Sequence, residues 1–254
     1  MPKMYRELTE VLTHEAPAIA EVAQVIERDP AMCLKILQVV NSAFFGLPRR
    51  VTAIRESIMF LGIEPLKALV LVTQIFPAAE GIDGGSRVIA AIQEHSILVA
   101  RVARALIPTS QDDAFMAAML HDIGHLILAL AEKGRIGEIA KIAQRNGSPL
   151  HVVEREHIGV THADVGAYVL GTWGLPFGVV EAVAGHHEPD RFAGTAFDVT
   201  TAVHAAEALV TGRGGVDASR ASPLDEEHLK RLGVLDKLPE WRGIVDGVCA
   251  SGGG

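Results

Sequence analysis

Cysteine is nearly absent from this chain. With only Cys33 and Cys249 among 254 residues, neither a disulfide framework nor a cysteine-based zinc knuckle is available, and a reducing compartment is the expected setting. Basic residues are also short, 23 Lys and Arg against 31 Asp and Glu, with a formal net charge of −8. No Lys/Arg run stands out, which argues against a general binder of phosphate backbones, because that affinity rests on clustered cations. Apolar runs such as 68–75, broken by Thr73 and Gln74, fall short of the ~20 residues a membrane span needs. The opening Met-Pro-Lys-Met-Tyr-Arg-Glu lacks the apolar stretch of a secretory signal. No segment alternates apolar and polar residues with the period of a strand, and neither an internal repeat nor a low-complexity tract is present. A cytoplasmic, all-α protein with no membrane contact is the expectation.

What the chain does have is hydrocarbon at helical spacing. Hydrophobic residues make up 49% and charged ones 21%, a globular composition. Residues 5–13 and 18–28 read as amphipathic helices, with Ile19, Val22, Ala23 and Ile26 on one face. Asp29-Pro30 supplies a cap and a first-turn proline for a third helix through Val40. Asn41 offers a polar helix end, and the segment 42–50 turns at Gly46 and Pro48 while Phe44 and Phe45 need a core. Helical patterns follow at 53–60, ending at Gly62, and at 64–76. Residues 80–86 are the best linker, which divides the chain into an N-terminal lobe, 1–80, and a second lobe, 81–254. That second lobe carries helical patterns at 88–107, then one capped by Asp112 and Asp113, then 135–145, 149–156, 161–173, 176–187, 196–211, 225–232 and 239–247. A Gly/Arg-rich break lies at 212–222, and 251–254 reads as a frayed tail. Trp173 before Gly174 reads as a packing anchor.

Within the apolar run around residues 114–128 sits His121-Asp122. An imidazole and a carboxylate among hydrocarbon need a hydrogen-bond partner or a cation. Further candidates fall at His95, His162, the doublet His186-His187, and Glu207. Imidazole nitrogens and carboxylate oxygens suit one or two ions of iron, manganese or zinc. Their long spacing means that only a folded helical bundle could assemble them. His125 and His204 are read as extra ligands, groups behind the ligands or surface positions, with the last two favoured, and His14, His151, His157 and His228 as solvated.

His95, His121-Asp122, His162 and His186-His187 occur in the order of the metal-ligand signature of HD-superfamily phosphohydrolases, and the last two resemble those of HD-GYP cyclic di-guanylate phosphodiesterases. Residues 26–30 (Ile-Glu-Arg-Asp-Pro), 41–46 (Asn-Ser-Ala-Phe-Phe-Gly), Leu61-Gly62 and 173–176 (Trp-Gly-Leu-Pro) resemble the HDOD domain, the HD-related output domain of bacterial signalling proteins, over about residues 5–210. The resemblance implies a two-lobed all-helical fold, an HDOD-specific bundle followed by an HD-like bundle, and a place at the output end of a signalling chain. The phosphodiesterases carry a lysine where this chain has His125, an aspartate where it has Glu207, and Gly-Tyr-Pro where it reads 188–194 (Glu-Pro-Asp-Arg-Phe-Ala-Gly). Losing that cation removes a holder for a substrate phosphate. The expectation is therefore a signalling module that acts on a protein partner and retains a metal site without robust catalysis. The alternatives are a phosphohydrolase in which Asp122 and a metal-bound water carry the chemistry, and a nucleotide-binding receptor without turnover.

Overall fold

In a computed structural model, residues 3–12, 19–41, 51–63, 65–71, 85–132, 134–192, 194–213 and 223–250 are described. The expectations placed on 42–50, Glu64, 72–76, 80–84, 214–222, 251–254 and His14 lie outside them. Among the described residues every regular element is helical, so the fold is all-α.

The N-terminal helices are α1 (Lys3–Leu12), α2 (Ile19–Glu27), α3 (Pro30–Val40) and α4 (Ile54–Leu61). Helix α2 turns Val22, Ala23, Val25 and Ile26 inward, whereas Ile19, read from the spacing as part of that face, is exposed. Asp29 caps α3 by accepting from the Met32 amide at 3.1 Å. At the other end of α3, Asn41 donates to the Leu37 and Val51 carbonyls, each at 2.7 Å, and accepts from the Val51 amide at 2.6 Å. One side chain thus ends the helix and pins the returning chain. Helix α4 stops at Gly62, whose φ of 91° is disfavoured for residues with a Cβ. Residues 65–71 are helical again, with Leu66, Ala68, Leu69, Val70 and Leu71 fully buried.

Helix α5 (Gly85–Leu106) follows, so residues 85 and 86 of the expected linker already belong to a helix. Around α5 pack α6 (Gln111–Leu120), α12 (Val199–Thr211) and α14 (Leu238–Ala250). The aspartates expected to cap α6 lie in its first turn instead; the cap is Ser110, in a left-handed conformation and without a side-chain bond. From there Asp112 and Asp113 meet the positive end of the helix dipole. Helix α6 is buried on all sides from Ala114 to Leu120, which makes it the central element of the bundle. It breaks at His121-Asp122 and resumes as α7 (Ile123–Ala131). By length and composition the stretch Gln111–Ala131 could cross a membrane, but 78% of its apolar window is buried inside the protein.

Helices α8 (Arg135–Asn146) and α9 (Leu150–Ile158) pair over a small core of Ile139, Ala143, Leu150 and Val153. Helix α10 (His162–Thr172) lies against α7 and α11 (Phe177–Gly185), and α11 lies against α6 and α12. The chain closes through the short α13 (Glu226–Arg231) and α14, whose buried Trp241 stacks near Phe197 at 5.2 Å. The main apolar core runs without interruption from Leu8 on α1 to Val245 on α14.

Candidate metal centre

The break between α6 and α7 faces the middle of the bundle, and each surrounding helix brings a polar side chain to it. His95 comes from α5, His121 and Asp122 from the break, His162 from the first residue of α10, His186 and His187 from just past the end of α11, and Glu207 from α12. All seven residues expected as ligands are buried, and they meet. Their donor atoms form overlapping groups, each within 4.8 Å: His95 with His121 and Asp122; His121 with His186 and Glu207; His162 with His186 and His187.

The spacing of these atoms is informative. Asp122 Oδ1 lies 3.5 Å from His121 Nε2 and 3.6 Å from His162 Nε2. Glu207 Oε2 lies 3.7 Å from His186 Nε2 and 3.8 Å from His187 Nδ1. These separations are too long for hydrogen bonds. They approach the ~3.0–3.4 Å that separates two donors on one ion when each bond is about 2.1 Å. The His162 and His187 Nε2 atoms, at 2.8 Å, are closer still.

The far side of the rings is already committed. His121 Nδ1 is 2.6 Å from the Ala118 carbonyl and His186 Nδ1 is 2.8 Å from the Val183 carbonyl. A carbonyl only accepts, so both Nδ1 atoms carry a proton and each ring turns its Nε2 toward the site. Those two buried Nε2 atoms have no hydrogen-bond partner. Burial first, and neighbouring imidazoles second, hold His186 and His187 well below the ordinary histidine pKa. Neutral rings with a fixed tautomer and an unfilled lone pair are what a divalent transition metal takes as ligands. The donor set therefore fits such an ion, and these buried groups could hold one.

Several participants escape the sequence reading. Glu154, on α9 and fully buried, accepts from the His162 amide at 2.9 Å and from His162 Nδ1 at 2.7 Å. Burial pushes its carboxyl up, but the charge and hydrogen bonds of His162 and His125 outweigh that and hold it below the usual carboxylate range. Glu154 thereby fixes which nitrogen of His162 faces the site. His151 is buried rather than solvated; its ring stacks on His187 at 4.2 Å, and burial, followed by His162, pushes its pKa down to about 4. Helical spacing places Glu154 on the inward face of α9 with Leu150 and Val153, but not against the site.

His125 is likewise no surface group. It is 5% exposed, and burial, followed by His162, lowers its pKa to about 4. His204, also read as a backing group or a surface one, takes the first role: its Nδ1 donates to the His186 carbonyl at 2.8 Å, while its Nε2 accepts from the Asp225 amide at 2.9 Å. His228, expected in solvent, is buried, with Nδ1 at 2.5 Å from Asp190 Oδ1 and Nε2 at 3.0 Å from Thr201 Oγ1. His157 is exposed as expected.

Helix α10 starts on a capping box. Thr161 Oγ1 accepts from the Asp164 amide at 3.1 Å, and Asp164 Oδ2 accepts from the Thr161 amide at 3.1 Å. This cap fixes where His162 enters the site. A Thr161→Ala variant is expected to lose about 1 kcal/mol, lowering Tm by roughly 2–4 °C in a calorimetric melt.

Comparison with known proteins agrees with this architecture. The chain superposes on the HDOD domain protein of unknown function from Geobacter sulfurreducens with a TM-score of 0.75 at 18% identity, covering 99% of this chain and 88% of that one. A protein of Shewanella amazonensis SB2B, proposed to be a metal-dependent phosphohydrolase, gives a TM-score of 0.63 at 21% identity, covering 98% and 90%. Among curated sequences, an uncharacterized protein of Treponema pallidum (strain Nichols) is 22% identical over 192 residues, 74% of this chain and 37% of its own length. Ribonuclease Y of Thermus thermophilus is 37% identical over 122 residues, 46% of this chain and 20% of its own length. The chain thus spans well under half of either curated relative. The HDOD domain family model matches residues 1–189, and the chain belongs to the HDOD domain family.

Proposed function

We propose that this chain is an output module of bacterial cytoplasmic signalling that holds a transition metal in its core and acts by presenting its helical surface to a protein partner. The observation that carries this reading is the burial of the whole donor set: His121, His162 and His186 are fully buried, and His187, the most open of the seven, is 9% exposed. A hydrolytic site needs a coordination position that a substrate can reach. A sealed set of His95, His121, Asp122, His162, His186, His187 and Glu207 instead suits a metal that stabilises the fold. The largest electrostatic influences on His186 come from imidazoles and Asp122, and those on His187 from imidazoles.

Protein purified without chelator is expected to carry about one or two equivalents of Fe, Mn or Zn by elemental analysis, with Tm raised by the metal and lowered on its removal. Less than about a tenth of an equivalent, with no rise in Tm on adding Mn or Fe, overturns the metal reading. The loaded protein is then incubated with cyclic di-guanylate, a model phosphodiester and an RNA oligonucleotide, the last because ribonuclease Y is among the relatives. No turnover is expected. Turnover abolished by His121→Ala and Asp122→Ala replaces this reading with that of a metallophosphohydrolase, and tight nucleotide binding without turnover replaces it with a receptor.

A further inference from the structure

Asp122 stands at the N-cap of α7, so His125 follows three residues later on the same face. Its ring stacks on His162, with centroids 3.7 Å apart and planes inclined by 23°. This sends both Nε2 atoms toward one oxygen: His125 Nε2 lies 3.5 Å from Asp122 Oδ1 and His162 Nε2 lies 3.6 Å from it. On the outer side, His125 Nδ1 meets Glu154 Oε1 at 3.3 Å, and the second oxygen of that carboxylate holds His162. One buried carboxylate therefore backs both rings. His125 Nε2 is buried and has no hydrogen-bond partner. Leaving such a nitrogen empty forfeits its hydration with nothing in return, a cost that a ring held only by packing would not recover.

We propose that His125 is itself a metal ligand, joining Asp122 and His162 as three donors at one end of the centre. The inference rests on the metal-centre reading above and adds a donor that the chain's likeness to phosphohydrolases does not provide. Asp122, His125 and His162 have donor atoms mutually within 4.8 Å, as do His162, His186 and His187. Two imidazoles and a carboxylate supply three of the four positions of a tetrahedral zinc shell. Nitrogen donors also select zinc, iron, nickel or copper over magnesium and calcium. Imidazole in place of a cation at this position thus changes the chemistry twice: it takes away a charge that would hold phosphate, and it occupies a coordination position that water could take.

The test compares wild type, His125→Ala and His125→Gln for zinc equivalents and for the concentration of a competing chelator that removes half of the metal. Melts of the chelator-stripped proteins check folding, and His125→Gln, which keeps much of the side-chain volume, carries the test if the alanine variant unfolds. The expected result is a chelator midpoint at least tenfold lower for at least one equivalent in both variants, with the glutamine variant's stripped Tm within a few degrees of wild type. Wild-type retention of metal with unchanged midpoints in both variants removes His125 from the shell while leaving the centre standing. Wild type that binds no zinc overturns the centre itself, and this inference with it.

Discussion

A Gly124→Ala variant is expected to melt roughly 6–12 °C below wild type and to lose most of its metal. A Cβ built on Gly124 falls 1.9 Å from the His162 carbonyl oxygen, 2.7 Å from its carbonyl carbon and 2.9 Å from its Cα. All three are backbone atoms, so no rotamer change relieves the overlap; helices α7 and α10 must move apart. Overpacking in a core typically costs about 1–3 kcal/mol, and a backbone clash belongs at or above the top of that range. At roughly 2–4 °C per kcal/mol for a domain near this size, 3 kcal/mol gives the stated shift. The displaced helices carry Asp122, His125 and His162, so the metal should leave with the packing. Gly185→Ala provides the comparison: there the nearest atoms are Phe192 Cδ2 at 2.8 Å and Thr200 Cγ2 at 2.9 Å, side-chain atoms that can shift, and a smaller loss is expected. Calorimetry and metal analysis on both variants decide the matter. A Gly124→Ala protein that melts within about 2 °C of wild type with its metal intact would show that α7 and α10 are not held in contact at this point.

That contact also marks where sequence reasoning stopped. The helices were legible because each buries one apolar stripe, as α2 does with Val22, Ala23, Val25 and Ile26. The ligand candidates were legible because His121 and Asp122 interrupt a run of hydrocarbon, and because their order with His95, His162 and His186-His187 resembles a known signature. Gly124 looked unremarkable, since the surface it touches is 38 residues away and belongs to another helix's backbone. His228 looked solvated on a short charged helix, yet its partners Asp190 and Thr201 arrive from 38 and 27 residues earlier. Glu154 and His151 were overlooked for a different reason. Their helix shares a small core of its own with α8, and nothing local says that the polar edge of that face turns toward the bundle centre. Long-range pairing decides the surroundings of a polar side chain, whereas periodicity reports only which way it points.

Asp122→Asn should separate the metal's contribution from the scaffold's, because its effect is expected to differ between the loaded and the stripped protein. The side chain is 4% exposed, and its Oδ1 stands 3.5–3.6 Å from Nε2 of His121, His125 and His162. With an ion present, this oxygen supplies the negative charge that offsets the cation, and several imidazoles share the ion with it. An amide oxygen in its place gives a weaker, neutral donor. Metal content in Asp122→Asn is expected to fall below about a tenth of an equivalent. A ligand at 100 to 1,000 times its Kd stabilises the native state by about 3–4 kcal/mol, so metal should no longer raise Tm by the roughly 6–16 °C that corresponds to this energy. In chelator-stripped protein the sign should change. Burying a carboxylate carries a desolvation cost that the ion offsets; an amide of the same shape carries no charge and bears less of that cost. The stripped variant is therefore expected to melt at or above the stripped wild type. A fall of equal size in both forms would mean that Asp122 serves the fold as a hydrogen-bond acceptor and holds no metal. Opposite shifts would mean that the bundle tolerates a destabilising cluster in its core because the ion is there to neutralise it.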